Sequence, residues 1–128
     1  ENVKFTGFIH NAELPLYQSA ADILIAPYER VISGSSGGDS ASVASPMKIF
    51  DYMAAKRAII TSDLPVIREV LNEKSAIFCP PEDVDVWHTA ITRLLADDSL
   101  REKLAENAYA CVTAYTWVAR AEKILKGF

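Results

Sequence analysis

Three short, unbroken apolar runs constrain this chain more than anything else in it. Ile23-Leu24-Ile25-Ala26, Ala58-Ile59-Ile60-Thr61 and Ala76-Ile77-Phe78-Cys79 show no alternation of apolar with polar residues. A strand with one wet face alternates, so strands like these are covered on both faces. The first run, stopped by Pro27, reads as a central strand, and Pro80-Pro81 stops the last. A fourth strand is expected at Val3-Lys4-Phe5-Thr6, which alternates and ends at Gly7.

Helical periodicity fills the intervals. Asn11 is placed to cap a short helix that tolerates Pro15 in its first turn and carries Leu14, Tyr17, Ala20 and Ala21 on its apolar face. Val66, Ile67, Val70 and Leu71 mark a second apolar stripe. Asp83 caps a helix with Val84, Trp87, Ile91, Leu94 and Leu95 at helical spacing, and Ser99-Leu100-Arg101-Glu102 reads as a capping box for a helix bearing Leu100, Leu104, Ala108 and Cys111. A last helix, about residues 116–126, has Trp117, Ala121, Ile124 and Leu125 on one side. Strand–helix alternation of this kind predicts an α/β fold, a parallel sheet flanked by helices and joined by right-handed crossovers. Ligands of such sheets bind outside the carboxyl ends of the strands. Here that rim comprises Gly7-Phe8 and residues 28–45, 62–65 and 80–82.

One helix start opens from the same rim. Ser45 suits an N-cap and Pro46 the first helical position, in Ser45-Pro46-Met47-Lys48-Ile49-Phe50-Asp51-Tyr52-Met53-Ala54-Ala55. The N–H groups of Met47 and Lys48 then face out of a helix end with partial positive charge, a site for phosphate or carboxylate. A lysine in the first turn opposes the helix dipole by about 0.3–1 kcal/mol unless an anion is there. Asp51, one turn on, leans back toward the same end and can accept from hydroxyls. Anion clamp plus hydroxyl acceptor points to a sugar nucleotide; a plain capped helix with a surface Lys48–Asp51 pair is the alternative. The preceding residues, 28–44, are glycine- and serine-rich, as in a functional lid or a simple flexible loop.

Composition removes several classes. The chain has 128 residues, enough for one core and too few for two ordinary domains. Its net charge of −4 without a basic stretch argues against a nucleic-acid partner. Cys79 and Cys111 have neither metal-ligand nor disulfide-scaffold spacing and read as small buried apolar residues of a reduced, cytoplasmic protein. His10 and His88 lack partners at ligand spacing, so no metal site is expected. There is neither a long apolar run nor a signal peptide. The chain enters its first expected strand within two residues of Glu1, as a segment of a longer polypeptide would.

Taken together, residues 2–7, 14–22, 45–55, 62–70 and 80–81 resemble the C-terminal, donor-binding domain of retaining glycosyltransferases with the GT-B fold, the group that includes relatives of glycogen and sucrose synthases. The Val-Lys-Phe-Thr-Gly-Phe opening, the Leu…Tyr…Ala-Ala-Asp pattern and the Ser-Pro-Met-Lys…Asp-Tyr-Met-Ala block occur in that family's order and spacing. The resemblance implies a Rossmann-like fold and transfer of a sugar from a nucleotide-sugar to an acceptor saccharide, lipid or small molecule, with retention at the anomeric carbon and no metal or other cofactor. Ser45, Met47 and Lys48 would then hold the diphosphate, in a donor-binding stretch that includes Pro46, with Lys48 stabilising the leaving group. Asp51 would replace the glutamate that takes the ribose hydroxyls, and Gly7 and Phe8 would lie near the base. The family's first acidic residue, eight positions earlier, falls on Val43, and Glu29 on the same rim is the candidate for that sugar contact. Lys56-Arg57-Ala58 stands where relatives usually carry a Gly and a Pro. Residues 1–128 would form one partial domain, inactive alone, whose segment 115–128 returns toward an acceptor domain; with that apolar face uncovered, the segment would self-associate. Peripheral membrane association of a full-length protein is left open. Two other readings remain: a degenerate, non-catalytic Rossmann-like module for assembly, and a sugar-nucleotide epimerase.

Overall fold

A computed structural model describes residues 2–30 and 47–127. In chain order the elements are α1 (Leu14–Ala20), β1 (Ile23–Ala26), α2 (Met47–Ala54), β2 (Ala58–Ser62), α3 (Pro65–Arg68), β3 (Ile77–Cys79), α4 (Val84–Ala96), α5 (Asp98–Val112), a single 3₁₀ turn (Thr113–Tyr115) and α6 (Trp117–Lys126). The strands form one parallel sheet in the order β1-β2-β3. Ile23 pairs with Ala58 and Ala26 with Thr61, while Ile60 pairs with Ile77 and Ser62 with Cys79.

All five residues of β2 are buried, which makes it the centre of the sheet. Its side chains alternate between two apolar clusters, as a period of two requires. Ile59 joins Ala26, Ile49, Met53, Ile67 and Leu71 on one face. Ala58 and Ile60 join Cys79, Ala90, Leu94 and Leu104 on the other. β1, expected at the centre, lies instead at an edge among the described residues, with Leu24 and Ala26 buried and Ile25 36% exposed.

Other expectations are corrected as well. Val3-Lys4-Phe5-Thr6 is not a strand: no strand among the described residues lies beside it, and Phe5 is 93% exposed. An extended segment without a partner has no ladder to join. α1 starts after Glu13 without a side-chain cap, and Asn11 lies in the turn before it. Its expected apolar face is largely wet: Tyr17 and Ala20 are exposed, Leu14 and Ala21 are half-buried, and the buried residue is Gln18. α5 begins earlier than the Ser99 box, because Asp97 accepts from the Leu100 N–H at 2.9 Å. Cys111, Val84 and Leu95 are exposed, whereas Cys79, Leu94, Leu104 and Ala108 are buried. The cap at Asp83 and the helix from residue 117 form as expected, the latter capped by Thr116 accepting from the Ala119 N–H. The apolar side of α6 is uncovered, with Trp117 77% and Leu125 75% exposed.

Lys56, at the end of α2, adopts φ +55°, the left-handed conformation that favours glycine. That is where the resemblance leads one to expect a glycine, and a β-carbon there costs about 1–2 kcal/mol. Lys56→Gly is therefore expected to raise stability by about 1 kcal/mol in urea unfolding, net of the exposed Lys56–Glu106 contact at 3.9 Å. In the opposite direction, Ile60→Ala in the buried centre of the sheet should cost about 2–5 kcal/mol. The same truncation at Ile25 on the edge should cost well under that.

Candidate functional site

Because the strands are parallel, their carboxyl ends share one rim, and side chains far apart in sequence lace it together. The Ser62 hydroxyl donates to the Tyr28 carbonyl at 2.6 Å, joining the end of β2 to the residues after β1. The Asp63 N–H donates to the Cys79 carbonyl at 2.8 Å, joining β2 to β3. Trp87 donates its indole N–H to the Pro80 carbonyl at 2.9 Å. Arg30 forms a two-pronged pair with Glu82, both contacts 3.1 Å. Arg68 forms a second fork on Asp63, at 2.5 and 3.0 Å, reaches Glu73 with its remaining nitrogen, and stacks over the Phe78 ring at 4.2 Å.

These forks set the local electrostatics. Arg68's hydrogen bonds hold the Asp63 and Glu73 carboxyls below the usual carboxylate range, and Arg30's does the same for Glu82. Arg68 is in turn pushed up by its bonds to Asp63 and Glu73. Burial raises the hydroxyl of Tyr28; burial, with Tyr28 and Asp51 adding, raises that of Tyr52. Both phenols are therefore neutral near pH 7, and Tyr52 donates to the Ile25 carbonyl at 3.3 Å.

α2 opens from this rim. Its amphipathic spacing buries Ile49 and Met53 against the sheet and leaves Met47, Lys48 and Asp51 exposed. Lys48 forms no ion pair among the described residues, with Asp51 or otherwise; its ammonium lies 5.9 Å from the centroid of the Tyr28 ring. Asp51 faces a different side, lining a cleft of about 370 Å³ with Asn11, Leu14, Pro15 and Gln18 of the α1 region. Met47 lines another cleft, of about 420 Å³, with Phe50, Tyr115, Trp117 and Arg120. Lys48 and Asp51 are thus not paired among the described residues, and Asp51 and Met47 line different clefts on the two sides of the helix's first turns.

Gly7 has φ +70°, and Phe8 is 85% exposed with its ring edge-on to His10 at 5.2 Å. The His10 carbonyl accepts from the Glu13 and Leu14 N–H groups, so Gly7 and Phe8 lead directly into the α1 side of the Asp51 cleft. Glu29 is exposed between Tyr28 and Arg30, each of which is held to another strand end. Ser45, Pro46 and Val43 lie outside the described residues. Sequence reasoning did not single out Tyr28, Arg30, Ser62 or Arg68. The one available signal was position, since an aromatic and a charged residue directly after a strand-ending proline fall on the rim. Among the described residues no group of three or more His, Cys, Asp or Glu could hold a metal ion, and no helix is long and apolar enough to cross a membrane.

The arginine forks make stability depend on acid. Carboxyls held below their unfolded values contribute fully above the unfolded range and lose the contribution as pH falls through the lower folded values. Urea midpoints should therefore fall on acidification below about pH 5. Arg68→Ala should lower the neutral-pH midpoint slightly and flatten that fall by the same small amount, because the pairs are largely exposed.

Comparison with known proteins places this geometry among relatives. The family described as "Glycosyl transferases group 1" matches residues 1–97. The phosphatidyl-myo-inositol mannosyltransferase of Mycolicibacterium smegmatis is 28% identical over 126 residues, 98% of this chain and 30% of that protein. The alpha-D-kanosaminyltransferase of Streptomyces kanamyceticus is 25% identical over 111 residues, 84% of this chain and 25% of that protein. Among solved structures, sucrose-phosphate synthase from Thermosynechococcus elongatus superposes with a TM-score of 0.75 at 26% identity, covering 96% of this chain and 28% of that one. The C-terminal domain of a glycosyl transferase group 1 family protein from Francisella tularensis shares the fold at a TM-score of 0.68 and 23% identity, over 86% of this chain and 51% of that one.

Proposed function

Because the chain belongs to the glycosyl transferases group 1 family, we propose that it is the donor-binding part of a retaining glycosyltransferase, one that moves a sugar from a nucleotide-sugar to an acceptor saccharide, lipid or small molecule. The observation that carries this reading is the first turn of α2 opening at the strand-end rim, with Lys48 exposed and without a carboxylate partner among the described residues. A helix N-terminus and an unpaired ammonium are complementary to a diphosphate, whereas the rim's two arginines are already engaged by carboxylates.

In this reading the donor's diphosphate lies against Met47 and Lys48 at the first turn of α2. As the bond between the anomeric carbon and the diphosphate breaks, its electron pair and charge pass to the diphosphate, and Lys48 and the α2 amides stabilise that charge more than they stabilise the bound donor. Asp51 accepts from the ribose hydroxyls inside the α1–α2 cleft, with Gly7 and Phe8 toward the base. Glu29 contacts the transferred sugar. The acceptor hydroxyl oxygen bonds the anomeric carbon on the face the diphosphate leaves, its proton passing to the departing diphosphate, and the configuration is retained. The chain spans about 30% of the first curated relatives, and the acceptor site is assigned to the remainder of such a protein. The relatives' names specify different sugars, so family membership does not fix the donor sugar.

Lys48→Ala in the full-length protein is expected to lower kcat/KM by about 100-fold or more, the scale of losing one donor to a developing anion. Unchanged turnover and donor affinity would remove Lys48 from the site. In parallel, NMR titration of this chain with UDP, GDP and ADP should move the amides of Gly7, Phe8, Met47, Lys48 and Asp51 selectively with one of them. Tight donor binding without transfer in the intact protein would instead favour a non-catalytic module.

A further inference from the structure

Lys48 occupies a position that isolated-helix physics disfavours, so something must fix where its ammonium rests. A cation in the first turn is repelled by the helix dipole, and a lysine side chain has wide rotamer freedom. No carboxylate among the described residues pairs with it. What lies beside it is the Tyr28 ring, with the ammonium 5.9 Å from the centroid, within the range at which the negative face of an aromatic ring attracts a cation.

Tyr28 is itself held tightly for a residue just past a strand. Its N–H donates to the Ala26 carbonyl at 3.2 Å, and its carbonyl accepts from the buried Ser62 hydroxyl at 2.6 Å. Its half-buried ring packs against the apolar cluster that contains Ile49 and Met53 of α2. The ring therefore has a fixed place relative to both the end of β1 and the helix that carries Lys48.

We propose that Tyr28 is a positioning residue for Lys48: its ring, packed on the apolar cluster while Ser62 holds its backbone carbonyl, holds the Lys48 ammonium over the strand-end rim at the mouth of α2, so that the cation is in place before a nucleoside diphosphate arrives. This rests on the donor-site reading above and adds the residue that orders the cation. Tyr28 acts through its ring face. Its hydroxyl is not required, and removing the hydroxyl alone leaves the arrangement intact.

The test has a ligand-free part and a binding part. By NMR, the Lys48 side-chain methylene protons nearest the ammonium should be shifted upfield by the ring, a shift kept in Tyr28→Phe and lost in Tyr28→Leu. Absence of that shift in the wild-type chain overturns the proposal directly. Affinities for UDP, GDP and ADP are then measured for the protein and for Tyr28→Phe, Tyr28→Leu, Lys48→Ala and the Tyr28→Leu/Lys48→Ala pair, with thermal midpoints taken for each. Tyr28→Leu should weaken the nucleotide that binds tightest by about two- to fivefold, the scale of an exposed cation–ring contact. Tyr28→Phe should leave it unchanged, and the Leu substitution should have no further effect once Lys48 is Ala. A Tyr28→Phe loss as large as that of Tyr28→Leu, or a Leu effect that persists without Lys48, overturns the proposal while leaving the donor site standing. No effect of Lys48→Ala, or no binding of any of the three nucleotides, overturns the donor-site reading and this inference with it. Should Tyr28→Leu fail to fold, Tyr28→Trp serves in its place, and it must keep both the shift and the affinity.

Discussion

The rest of the molecule depends on the burial of β2. Five consecutive residues, Ala58 to Ser62, are removed from water on both faces, and that can be achieved only by placing helices above and below the sheet. Ile59 lies with α2, α3 and Ala108 of α5 on one face, while Ala58 and Ile60 lie with α4 and Leu104 of α5 on the other. Helical crossovers between neighbouring strands make those strands parallel. Parallel strands point all their carboxyl ends one way. A packing requirement in the middle of the sheet thus becomes a single rim at one end of it.

That rim is stiffened by bonds between residues remote in sequence. Ser62 reaches Tyr28, Asp63 reaches Cys79 and Arg30 reaches Glu82, so the three strand ends are tied edge to edge. The same bonds decide which charges remain available. Arg30 and Arg68 spend their guanidinium donors on carboxylates of the rim, whereas Lys48 rests on an aromatic face, a contact weak enough to coexist with an incoming anion. A strong ion pair at Lys48 would have neutralised the helix mouth. The scaffold is rigid where it supports the site and electrostatically unsaturated where a ligand is proposed to bind.

Family membership fits this picture without specifying its chemistry in full. Parallel sheets of this kind bind ligands at their strand ends, but one fold hosts many functions. The residues that distinguish this chain are local. Asp51 lies in a cleft with α1 and not beside Lys48, and Lys56 holds a left-handed backbone where a glycine would be relaxed.

Much of the architecture was legible because it follows from local chemistry. Apolar runs without alternation announced β1, β2 and β3, the cap at Asp83 set the start of α4, and helical spacing marked α6. Partnership could not be read the same way. Val3-Lys4-Phe5-Thr6 alternates like a strand, yet finds no neighbour among the described residues, and the apolar side of α6 is as regular as that of α4 but uncovered. Asp97 took the cap that Ser99 was placed to supply, since two acceptors competed within one turn. Periodicity and capping are properties of a few consecutive residues, and the sequence by itself determined them. Which strand is central, which face meets water, and that Tyr28 lies under Lys48 depend on contacts across tens of residues, and only the tertiary structure decided those.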